Sequence, residues 1–404
     1  MSTYAMNNSK IALAFINAMF YCSLLSLYLS LKFVIFFAIA FYFVFRRKSS
    51  IVYFFTKLTF PVLFLLFMFA YSSSQGNELQ YVWFESRDIL ITVIELLMLN
   101  ALVLVKGADD IIKILLKISC LIGFLKMIIT AYCIATGINA SVLVETISKT
   151  TGWELMTYDV DQSFISRIQF PIDLCSCFLM YYASTNLIKK LGVSQVIIFS
   201  GLLFSVLITM SRAFWFIGIV MFLLAIYNNS GSKRTFKYII AIVILLSFAY
   251  ISTYETTNKI ISDRFSTNLT SSSDEARTIQ NGLLYPQFEG AMFFGKGIGY
   301  YIPYFTRGEG DNKYAYESQV LAMFMKLGVV GFATLLFWFA NIIFTFEKSL
   351  SFKILLTKSV FFALWIFSGS VNPLLFSTPG GLVLFLCSNI RADSAETIRR
   401  DRKI

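Results

Sequence analysis

Apolar residues fall in blocks of about twenty, the length a helix needs to cross a hydrocarbon core, separated by short polar turns. Blocks near 9–29, 31–45, 51–72, 88–105, 114–137, 168–188, 192–210, 213–228, 236–253, 318–345, 354–370 and 374–390 predict an all-α polytopic membrane protein of about twelve transmembrane helices. They are too long for barrel strands. The longest interruption, Tyr254 to Glu317, predicts one large extramembrane loop within a single membrane domain, 1–404. Within it, 277–290 carries a short helical pattern interrupted at Pro286, and Ser266 to Ser273 reads as a flexible Ser/Thr-rich piece. The other polar stretches, Gln75 to Asp88 and 139–167, read as loops.

Composition agrees with this pattern. Apolar residues make up 57% of the chain and charged residues only 14%, well below the roughly one quarter of a soluble globule. The net charge of +11 is accounted for by topology and does not call for nucleic acid. Positive clusters occupy alternate connections: Arg46 to Lys48, Lys106 with Lys113 and Lys117, Lys189-Lys190, Lys233 to Lys237, Lys348 with Lys353, and the tail from Arg391. That places both termini in the cytoplasm and the large loop outside. Before Glu317 the loop holds six basic residues against seven acidic ones, so no basic excess opposes its export.

The chain has no histidine, which removes Ser-His and Cys-His catalysis and histidine-ligated metal. Its six cysteines lie in or beside apolar blocks without metal-ligand spacing, as packing residues do. No cofactor or metal is expected. Arg212 interrupts the apolar run from Gly192 to Tyr227, where a buried arginine costs roughly 2.5–3.5 kcal/mol and normally meets a partner or a polar cavity. It suits bidentate binding of a phosphate at the membrane surface; a hairpin turn is the plainer alternative. Arg264, Arg277 and Arg307 are candidates to complete a diphosphate clamp. Glu317 opens the tenth block, where partial desolvation would suit a general base and a helix N-terminus would favour the same carboxylate. Gly295-Lys-Gly-Ile-Gly299 lacks a nucleotide-binding context, so Gly297 and Gly299 are expected to permit a tight turn or a close backbone approach beneath a substrate, with Tyr300 beside them. Glu95 and Lys126 are expected to pair across consecutive spans, and Asp173 to pair with Arg167 or Arg212.

Taken together, Thr209-Met-Ser-Arg212-Ala before an apolar span, Arg277 in a long outward loop, Phe293-Phe-Gly-Lys-Gly-Ile-Gly299, Glu317-Ser-Gln-Val-Leu and Lys326-Leu-Gly-Val-Val-Gly331 resemble the bacterial O-antigen polymerase and ligase superfamily, and more specifically the Wzy-type O-antigen polymerases. The resemblance covers roughly 205–335. It implies an inner-membrane, metal-independent glycosyltransferase with the loop at 254–317 in the periplasm. Its substrates would be repeat units on undecaprenyl diphosphate, the growing glycan passing to the non-reducing end of a new lipid-linked unit in lipopolysaccharide biosynthesis. The partners implied are those lipid-linked units, the lipid bilayer and a polysaccharide chain-length regulator. Arg212, Arg277 and Glu317 would then be catalytic, with Arg264, Arg307, Gly297, Gly299 and Tyr300 in substrate binding. Related ligases carry a histidine near the position of Glu317, which favours polymerase here. A ligase, a capsule or exopolysaccharide polymerase, and a lipid-linked oligosaccharide flippase remain alternatives.

Overall fold

The computed structural model describes residues 17–19, 21, 22, 24, 25, 33–151, 157, 167–229, 267–305, 312–345 and 351–391. The block at 236–253, most of that at 9–29, and Arg264 and Arg307 lie outside these residues.

The elements are helices: α1 (Phe33–Val44), α2 (Lys48–Ser74), α3 (Leu79–Lys106), α4 (Ala108–Thr136), α5 (Ala140–Thr151), α6 (Asp173–Lys189), α7 (Val193–Leu207), α8 (Arg212–Asn228), α9 (Thr267–Glu289), α10 (Gln319–Thr345), α11 (Phe352–Val371) and α12 (Thr378–Ser388). Among the described residues, α2, α3, α4, α10 and α11 are long and apolar enough to cross a membrane, and α7, α8 and α12 are shorter apolar helices. Local chemistry sets several ends. Ser351 and Ser377 accept backbone N–H groups at the starts of α11 and α12, and Gly137 closes α4 at φ 70° with its N–H on the Cys133 carbonyl. Hydroxyls within the apolar helices are satisfied by carbonyls one turn back, as Ser72 is on Met68 and Thr130 on Lys126.

Three expectations are corrected. Helix α3 begins nine residues before the apolar block does, so Glu85 and Asp88 sit on a helix and not in a loop. The stretch at 139–167 contains the helix α5. In the large insert, α9 runs through most of the Ser/Thr-rich piece to Glu289 with Pro286 inside it.

Helix α3 is the hub, with 67% of its apolar window buried against 22% for α2, whose Leu63, Leu66 and Phe67 face outward. It packs against α2 and α12. Helices α4 and α7 touch through Gly123 and Gly201, so closely that a Cβ on Gly123 would lie 2.0 Å from the Gly201 carbonyl oxygen; small residues permit such contact where no hydrophobic force drives helices together. Lys126 on α4 reaches across that interface to Asp173 at 2.6 Å and to Ser205 Oγ at 3.0 Å. Its partner is therefore Asp173 and not Glu95, because α4 packs mainly on α7, with little contact to α3. Glu95 is buried instead against the amino end of α12, its Oε2 2.7 Å from where a Cβ on Gly381 would fall.

Candidate active site

The site is built around a break in α10. At Gly328 the backbone leaves helical geometry (φ 66°, ψ 178°), which only glycine adopts without strain. The carbonyls and amides freed there pair with the end of the insert. Lys296 N–H donates to the Met325 carbonyl at 2.8 Å and Gly297 N–H to that of Lys326 at 2.9 Å, while Val329 N–H donates to Met292 at 2.8 Å. Irregular backbone within a span survives only where protein satisfies it, and here residues 292–297 do so.

The same segment wedges under the turn between α2 and α3. Tyr71 donates to the Gly295 carbonyl, and Asn77 Nδ2 donates to those of Lys296 and Ile298. Gly297 and Gly299 allow the run to come close to other parts of the chain, Gly297 to Ser72 and Gly299 to the backbone of Tyr81–Val82. Tyr300 lies beside α9 and donates to Gln287 at 3.0 Å.

Beneath this wedge sits an ion pair that sequence reading gave no role. Glu85 Oε1 accepts from Lys326 Nζ at 2.6 Å, Glu85 Oε2 accepts from Gly299 N–H at 2.7 Å, and Lys326 also donates to the Tyr314 carbonyl at 2.7 Å. Both side chains are buried. Each charge has a counter-charge and a backbone partner, the condition under which a buried pair persists. The pair ties α3, the glycine run and α10 to one another. The detectable signal was a lone lysine in an apolar span and an acidic residue one turn before Asp88.

Arg277 and Glu317, expected as clamp and base, come together. Arg277 Nε lies 3.0 Å from Glu317 Oε2 and its Nη2 donates to the Val371 carbonyl at 3.4 Å. The side chains remain 27% and 21% exposed, so the pair is open to a ligand. The buried Gln280, one turn along α9, accepts the Glu317 N–H at 3.3 Å. Leu284, Ile302, Tyr316, Ala322 and Met325 form the apolar cluster that seats α9 on α10.

Arg212 is exposed at the first position of α8, preceded by Met210 at φ 48°, a conformation L-residues seldom take. Helices α8 and α11 run antiparallel: Asn228 donates to Thr357 at one end and Phe216 meets Phe367 at 5.6 Å near the other. Arg212 lies one turn beyond that second contact and Val371, the acceptor of Arg277, one turn beyond it on α11. Both arginines therefore occupy the same end of the bundle.

A cavity of about 690 Å³ is lined by Tyr316, Gln319, Asp88, Pro171, Asn312, Pro373 and Ser377 among others, so that two of its wall residues lie within two positions of Glu317 in the chain. Three connections expected on one face of the membrane, around Asp88, Asn312 and Pro373, converge there. Asp88 accepts from Tyr314 at 3.1 Å and from Arg87 at 3.0 Å. Burial pushes the Tyr316 phenol up to about 12 although it accepts the Ile302 N–H, and burial together with Asp88 raises that of Tyr314 further. Among the described residues no group of three or more Cys, Asp or Glu side chains has the geometry of a metal site.

A family model described as O-antigen ligase matches residues 197–336. No curated protein and no solved structure matches the chain. The matched stretch contains Arg212, Arg277, the glycine run, Glu317 and Lys326, whereas Glu85 and Asp88 lie outside it.

Proposed function

We propose that this chain is an O-antigen polymerase of the bacterial inner membrane; the match of residues 197–336 to a family model described as O-antigen ligase supports a membrane-embedded, glycosyl-transferring enzyme of the O-antigen polymerase and ligase superfamily. In this reading the growing glycan leaves undecaprenyl diphosphate and joins the non-reducing end of a lipid-linked repeat unit, without metal. The observation that carries it is the Arg277–Glu317 pair, partly exposed and at the same end of the apolar bundle as Arg212.

The chemistry follows from those groups. The bond from the donor's anomeric carbon to the diphosphate oxygen breaks, and the leaving undecaprenyl diphosphate keeps the electron pair. Arg277 and Arg212 offer planar guanidinium forks that stabilise this developing charge. The acceptor hydroxyl oxygen bonds to the anomeric carbon and its proton passes to Glu317, which returns it to water. A diphosphate drawing Arg277 toward itself would weaken its hold on Glu317 and leave that carboxylate available as base. The lysine and arginine distribution supports a periplasmic site with cytoplasmic termini. Glu317 in a chain without histidine favours polymerase over ligase.

The lipopolysaccharide of a strain lacking this gene tests the reading. A core bearing one repeat unit, with the ladder restored by the wild-type gene and not by Arg277→Ala, is expected. Core without sugar would point to a ligase or flippase, and an unchanged ladder to a capsule or exopolysaccharide polymer.

A further inference from the structure

We propose that the cavity between α3, α10 and the turn from Pro373 to Pro379 is a carbohydrate subsite that holds the terminal sugars of the acceptor, an inference that rests on the polymerase reading. Its volume of about 690 Å³ lies within the range of small-molecule pockets, roughly 300–1,000 Å³. Three possible occupants are chemically distinct. A prenyl chain would leave Asp88, Arg87 and Gln319 facing hydrocarbon without solvent, at a cost for each polar group. A diphosphate needs unbalanced positive charge, whereas here Lys326 is matched by Glu85 and Arg87 by Asp88.

A sugar fits both halves of the lining. Its C–H face packs on apolar lining groups such as Ile91, Pro171 and Pro373, and its hydroxyl edge takes paired hydrogen bonds from fixed polar groups. Asp88 is such a group. Its Oδ1 accepts from both Nε and Nη2 of Arg87, whereas its Oδ2 accepts from Tyr314 and keeps a lone pair for a sugar hydroxyl. Tyr316 and Gln319 flank Glu317 in sequence and line the cavity wall, so an acceptor seated here would bring a hydroxyl up to that carboxylate. Tyr314 uses its one hydroxyl proton to hold Asp88 in place, and Tyr316 accepts the Ile302 N–H.

The probe is the repeat-unit oligosaccharide released from its lipid diphosphate by mild acid, prepared from a strain that lacks this gene. Its binding to purified full-length protein in lipid nanodiscs is followed by saturation-transfer NMR. Wild type is expected to bind it. Asp88→Ala, and Ala315→Trp at an exposed position of the cavity mouth, should weaken binding about ten-fold or more, as loss of a hydrogen bond to a charged group does. Equal binding by wild type, Asp88→Ala and Ala315→Trp would overturn the subsite, as would no binding of the free oligosaccharide by wild type. Either result would leave the polymerase reading standing, which the lipopolysaccharide ladder decides separately.

Discussion

Arg277 Nε stands 3.0 Å from Glu317 Oε2, joining two residues forty positions apart and held from behind by the Val371 carbonyl and Gln280. One residue belongs to the polar helix α9 and the other to the threshold of α10. Their meeting depends on the apolar cluster of Leu284, Tyr316 and Met325, which packs α9 against the start of α10. A guanidinium and a carboxylate that satisfy each other while a quarter exposed can exchange that partner for a substrate at small cost.

Arg277→Lys is therefore expected to lose polymer as Arg277→Ala does. A lysine keeps the charge but cannot bond Glu317 and the Val371 carbonyl from one planar fork. Both variants should lower the rate of single-turnover glycan transfer about 10²–10³-fold with the protein level unchanged, the scale of losing one charge-stabilising donor. A wild-type ladder from Arg277→Lys would show that charge alone suffices.

Gly297→Ala should destabilise the protein. Residue 297 has φ 92°, and a Cβ would fall 2.6 Å from Asn77 Nδ2 and 2.8 Å from Ser72 Oγ. Backbone strain alone is worth roughly 1–3 kcal/mol. Gly282→Ala, on α9 with nothing within 4 Å of the new methyl, should instead be neutral or stabilising by about 0.5–1 kcal/mol. Thermal unfolding of the two purified variants decides this, and equal midpoints would mean the wedge under α2 and α3 yields to the methyl.

How much of this was legible follows from the range of the forces involved. Blocks of apolar residues announce helices because lipid leaves the backbone no other partner, and α2, α4, α10 and α11 appear close to where they were expected. The start of α3 was hidden because Glu85, Arg87 and Asp88 broke the apolar pattern, although Glu85 points into protein and not into lipid. Lys126 was visibly a buried charge. Its partner was not visible, since adjacency in sequence suggested Glu95 while packing chose Asp173. The glycine run declared a close approach but not the α2–α3 turn that it approaches, which lies more than two hundred residues earlier.

Lys126→Met should cost about 3–5 kcal/mol, because it leaves the fully buried Asp173 carboxylate without its cation. The double variant Lys126→Met with Asp173→Leu removes both charges from the interior and is expected to recover most of that loss. Unfolding of the single and double variants in the same detergent measures the coupling directly. A double variant as unstable as the single would place the effect in packing at Ser205 instead of in the charge pair.

Alkaline stability should carry the signature of the phenols around Glu317. The folded state holds Tyr316 protonated up to about 12, whereas the unfolded chain releases that proton near 10. The unfolded state thus binds fewer protons between those values, and stability falls as pH rises through that window. Below pH 10 this group adds no pH dependence, and above about 12 its contribution levels off. Tyr316→Phe removes the hydroxyl that accepts the Ile302 N–H at 2.8 Å, so it should cost about 1 kcal/mol at neutral pH. The same variant should lose less stability than wild type between pH 10 and 12, since one titrating phenol is gone. Melting midpoints of both proteins across that range provide the check. Parallel curves would mean that the Tyr316 phenol titrates alike in the folded and unfolded states, and that its enclosure between α9 and α10 is looser than the packing here requires.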